Sequence, residues 1–115
     1  MEHRTLDSVL DWFKKAVEDR QPIDAHQWIE AAMMMNLFLG DEQGKLFIKE
    51  QMVAQERQKA LEAPNMTVAK AKVIIEASDA FMETRVLKAK IDRVIEFIRL
   101  AKVMARSAQE EFKSN

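Results

Sequence analysis

The chain of 115 residues contains no cysteine and no tyrosine, and it has only two glycines and two prolines. Without cysteine there is no disulfide, no thiolate metal site and no Cys nucleophile. With so little glycine there is no phosphate-cradling loop, and neither a nucleophile elbow nor a Ser/His/Asp spacing is present. No apolar run approaches the roughly 18–20 residues that cross a bilayer. Met1-Glu2-His3-Arg4 leads into an amphipathic segment, not into the apolar stretch of a signal peptide. Excess charge of one sign is lacking too. With 18 Lys and Arg against 19 Asp and Glu, the totals point neither to a strongly basic nucleic-acid binder nor to an acidic tail. The expectation is a reduced, soluble, cytoplasmic protein with no membrane partner.

What is present favours helix. Apolar residues make up 48% and charged residues 32%, a balance that can fold around a core. Val and Ile sit among Ala, Glu, Lys, Met and Arg, and no alternating strand pattern lies between turn signals, so the chain reads as all-α. A first helix is expected after Thr5, with Leu6, Val9, Leu10, Phe13 and Val17 on one face, and Pro22 ends it. Asp24 suits the N-cap of a second helix from Ala25 to Leu39, with Gly40 as the left-handed residue beyond its end. Asp41 can cap a third helix from about Glu42 to Glu62, and Ala63-Pro64-Asn65 breaks the pattern again. Trp12 and Trp28 read as anchors between the first two helices. Met33, Met34 and Met35 cannot all face one core, so at least one meets a second helix, a subunit or solvent.

From Met66 to Phe112 there is neither Gly nor Pro, which predicts one long helix over residues 66–113. At 1.5 Å per residue it is a rod on the order of 70 Å. Its stripe reads Leu87, Ile91, Val94, Ile98, Ala101, Ala105, Ala108 and Phe112, in the alternating steps of a coiled-coil seam. Val73, Ala77, Ala80 and Thr84 continue it upstream with smaller residues, and Ile95, Phe97 and Met104 widen it. A globule of this length has a radius of gyration of about 13 Å, far shorter than the rod. A third helix of about 21 residues would cover less than half of it. The seam from Ile91 to Phe112 is therefore expected to be bare and to be buried by a second copy, giving a dimer or larger. The resulting picture is a single helical domain over 1–115. Three shorter helices fill 1–63, followed by a helical hairpin with a long C-terminal coiled-coil-like helix, in an oligomeric helical bundle.

Charge is unevenly spread. Residues 1–65 carry 8 basic and 12 acidic side chains, and residues 66–115 carry 10 basic and 7 acidic, so the halves differ in sign. Arg85, Lys88, Arg99, Lys102 and Arg106 fall on one side of the last helix and could follow a phosphate backbone. Asp92 and Glu96 share that side and can pair with Lys88 and Arg99, and no aromatic is interleaved for base stacking. The corner at Leu39-Gly40-Asp41 offers little of a DNA-reading helix, since Glu42-Gln43-Gly44-Lys45 follows.

Acid–base and metal chemistry have thin support. His26 and Glu30 share a helical face near Asp24, but no second helix supplies a matching Glu/His pair, so no metal site and no cofactor are expected. Glu76-Ala77-Ser78-Asp79 resembles the Glu-x-x-Asp pair of helical nucleotide pyrophosphohydrolases, yet their Glu-Glu-x-x-Glu element is missing. No catalytic residue is assigned, and a metal-dependent nucleotide hydrolase ranks last.

Leu39-Gly40-Asp41-Glu42-Gln43-Gly44-Lys45-Leu46-Phe47 and the run from Lys88 to Lys102, with the Ala-rich stretch from Val68 to Ala77, resemble small helical accessory proteins encoded by bacteriophages. The resemblance implies the host cytoplasm and a supporting role in phage DNA replication or recombination, and it supplies no catalytic residues. The leading expectation is a non-enzymatic helical interaction protein whose partner is itself or another protein. The alternative is a DNA-metabolism accessory protein that uses the basic side.

Overall fold

Thr5 opens the first helix as the pattern requires: its Oγ1 accepts from the Ser8 N–H at 3.2 Å, and Ser8 Oγ donates to the Thr5 carbonyl at 2.9 Å. The structure, a computed structural model, describes residues 4–19 and 22–114, with the side chains of 112–114 outside that description. Among the described residues there are four helices and no strand, so the all-α expectation holds. They are α1 (Leu6–Glu18), α2 (Ala25–Leu61), α3 (Val68–Glu76) and α4 (Asp79–Ser114).

Asp24 caps α2 reciprocally with Gln27. Its Oδ1 accepts from the Gln27 N–H at 2.8 Å, while Gln27 Oε1 accepts from the Asp24 N–H at 3.3 Å, which satisfies two donors at the helix start. The expected helix end at Gly40 and the separate third helix from Glu42 do not occur. Gly40 has a helical φ, and α2 passes through it to Leu61. The buried line Met35, Leu39 and Val53 continues on one side across the glycine. A glycine inside a helix costs only about 1 kcal/mol relative to alanine, less than opening two new helix ends with their orphan amides and carbonyls.

The single helix expected over 66–113 is also corrected, and without help from Gly or Pro. Asn65 takes the left-handed conformation at φ 61, which asparagine tolerates, and Thr67 caps α3 by accepting from the Lys70 N–H at 3.1 Å. α3 then stops at Ala77–Ser78. There Ser78 Oγ donates to the Ile75 carbonyl at 2.6 Å and accepts from the Phe81 N–H at 3.2 Å. One hydroxyl thus closes α3 and opens α4, with Asp79 in the first turn favoured by the helix dipole.

Contacts group the chain into two compact units, one from residues 1–41 and 92–115, the other from residues 42–91. In the first, α1 contributes Leu6, Val9, Leu10 and Phe13 to the core, α2 contributes Trp28, Ala31, Ala32, Met35 and Leu39, and α4 contributes Val94, Ile98, Ala101 and Ala105. The alanines keep helix surfaces low for close packing, and aromatic rings fill the space beside them. Phe13 meets Trp28 edge-on at 5.7 Å and Phe97 at 5.1 Å, while Trp12 meets Trp28 at 5.7 Å. In the second unit the buried apolar side chains are Val53, Ala71, Ile75 and Ile91.

Candidate interaction surfaces

The seam expected to be bare is covered by its own chain. Val94 and Ala101 are 0% exposed, and Ile91, Ile98 and Ala105 are buried as well. Leu87 and Ala108 are half-buried, and Phe112 lies outside the described side chains. The length argument assumed a single partner helix for the last stretch. Instead α1 and the first part of α2 pack with it, through contacts such as Phe13 to Phe97. The seam positions Ile91, Val94, Ile98, Ala101 and Ala105 themselves therefore leave no bare surface for a second copy to cover.

The five basic side chains Arg85, Lys88, Arg99, Lys102 and Arg106 are all exposed. Arg99 is engaged by Glu96, donating from Nη2 at 2.7 Å and from Nε at 3.2 Å to one carboxylate oxygen. Both partners are largely exposed, so water and salt screen the pair.

The acidic candidates are employed or separated. Asp24 caps α2, and Glu76 lies 4.0 Å from Lys72 within α3. Glu76 ends α3 and Asp79 begins α4, so the helix break divides the Glu-x-x-Asp pair instead of placing it on one face. Among the described residues, no group of three or more His, Asp or Glu side chains is placed to hold a metal ion. No described helix is long and apolar enough to cross a membrane.

Exposed apolar side chains lie off that line, Ile95, Leu100 and Val103 on α4 itself among them. The three consecutive methionines divide as geometry demands: Met35 is fully buried, Met34 is half-buried and Met33 is 68% exposed. Leu37, Phe47 and Ile48 on α2 are more than 60% exposed. Val68 and Val73 on α3 and Val86 on α4 are exposed to a similar degree. Soluble chains scatter single apolar residues over their surface, but a contiguous set marks a contact. The sequence did carry a signal for the set on α2. The apolar three-and-four spacing from Ile29 through Met33 and Leu37 resumes at Phe47, beyond two glycines four apart. Reading Gly40 as a helix end hid it.

Comparison of the chain with protein-family models, curated proteins and solved structures finds no match.

Proposed function

We propose that this chain is a non-enzymatic helical interaction protein that works by self-association. One observation carries the reading: large apolar side chains stay exposed in number on α2, α3 and α4 although the chain has a well-packed core elsewhere. Removing such surface from water is favourable by about 25 cal/mol per Å², and a second helical chain is the simplest cover. Light scattering across a micromolar concentration series tests it. A dimer or larger species is expected, with mass rising as concentration rises, and a monomer throughout the series defeats the reading.

A second reading, nucleic-acid binding in a phage accessory role, is favoured by the exposure of Arg85, Lys88, Arg99, Lys102 and Arg106 on one side of α4. The Glu96 carboxylate on Arg99 counts against it, because a phosphate would have to displace that partner. Salt-dependent binding of a labelled oligonucleotide separates the two readings.

A further inference from the structure

The outer side of α2 departs from what a water-facing helix needs. Met33, Leu37, Gly40, Gly44 and Phe47 follow one another at steps of four, three, four and three, with Ile48 beside them. Met33 is 68%, Leu37 70%, Phe47 61% and Ile48 61% exposed, on the side opposite the buried Met35, Leu39 and Val53. α2 carries nine Asp, Glu, Lys and Arg residues, and none falls on this line. Toward the C-terminus the line stays uncharged through Gln51 and Gln55. A solvated helix face ordinarily collects charge. Here the charges lie on the flanks and the middle is apolar.

The glycines supply an independent observation. They are the only two in the protein, and both sit in the interior of α2 with helical φ. A Cβ added at either would meet nothing within 4 Å, so nothing inside the chain requires their smallness. Each lowers helix propensity with no return inside the monomer. Two glycines one turn apart form a shallow saddle, with Leu37 before it and Phe47 and Ile48 after it along the helix. Such a saddle admits the backbone of another helix at close range.

Resting on the self-association reading above, we propose that the Met33–Phe47 face of α2 is the surface through which two copies of this chain pair, crossing at Gly40 and Gly44. The occupant is a second copy because the line is free of charge and can meet its own image without like-charge repulsion. In a two-fold antiparallel pairing centred on the glycines, Leu37 of one copy faces Phe47 of the other, and Gly40 faces Gly44. Four side chains exposed by more than 60%, with two glycine backbones between them, make up the apolar part of this face.

The test is sedimentation of wild type, Gly44→Leu and Gly44→Ala, with circular dichroism on each. Leucine at 44 has open space within its own chain but would hold a partner helix away. The expected result is unchanged or raised helicity with dimerisation weakened at least tenfold. Should leucine lower helicity, Gly44→Ala decides in its place, with an expected weakening of a few fold and raised helicity. An oligomeric wild type whose association neither variant changes overturns this interface and leaves the self-association reading standing. A monomeric wild type overturns both.

Discussion

The two compact units are made from the same kinds of residue and differ in how they use them. The unit of residues 1–41 and 92–115 holds thirteen of the seventeen buried apolar side chains found among the described residues, including the fully enclosed Phe13, Met35, Val9 and Val94. The unit of residues 42–91 holds the other four, one of them an alanine, yet it leaves eight large apolar side chains exposed (Phe47, Ile48, Met52, Val68, Val73, Ile74, Met82 and Val86), about as many as the seven that the first leaves beside its much larger core. In the first, three helical segments present apolar stripes to one another and aromatic rings close the gaps. In the second, the helices have apolar residues on more than one side, so one core cannot take them all. Apolar content alone does not make a core. The stripe must be narrow enough for the neighbours available to cover it, and what remains outside is available for contact with another chain.

The largest expected effect lies in the well-packed unit. Ile98→Asp removes a buried side chain and puts an unpaired carboxylate among Val94, Ala101 and their neighbours, at a cost of about 4 kcal/mol or more. If the α4 seam were an interface between copies, the same change would release folded monomers. Chemical denaturation with light scattering distinguishes these outcomes. Loss of the cooperative unfolding transition is expected, and a folded monomer of wild-type helicity would reverse the account of which chain covers the seam.

A matched pair of truncations measures the contrast directly. Phe13→Ala leaves a cavity bounded by Trp28 and Phe97 and should cost about 3–5 kcal/mol. Ile75→Ala, in the unit with few buried neighbours, should cost about 2 kcal/mol, because its surroundings relax more easily. Urea unfolding followed by circular dichroism gives both values, and equal losses would erase the distinction between the units.

Parts of this were legible in the sequence for physical reasons. Thr5 and Asp24 mark helix starts because their side-chain oxygens accept from free amides, and Asn65 marks a turn because it tolerates a left-handed backbone. The unequal fates of Met33 and Met35 follow from helical rotation. The continuity of α2 and the step at Ser78 were not legible. Each depends on a balance between local preference and distant packing. At Gly40 the packing line outweighs a residue that often ends helices. At Ser78 one hydroxyl with Asp79 beside it ends a helix that neither Gly nor Pro interrupts. The seam of α4 was legible as a stripe but not by what covers it. Heptad spacing states that a face will be buried and is silent on whether the cover is the same chain or another.

The smallest effect is expected where the units should be alike, at their surface charges. The second unit has an exposed pair, Lys49 Nζ donating to Glu83 Oε2 at 3.1 Å, and the first has Arg99 with Glu96. Exposed pairs contribute about 0.2–1 kcal/mol and weaken with salt. Replacing Arg99, Lys102 and Arg106 together by Gln should therefore change stability by less than about 1 kcal/mol, since Gln keeps the helix and the Arg99–Glu96 pair that is lost is exposed. The same triple variant separates two uses of the basic side. If those cations contact phosphates, polarisation of a labelled oligonucleotide at about 50 mM salt should show binding that falls steeply with added salt, and the variant should weaken it and flatten the slope by about three contacts. Absence of binding by wild type leaves Arg99 and its neighbours as solvated charges. Binding that ignores the substitution would move any nucleic-acid surface off this side of α4.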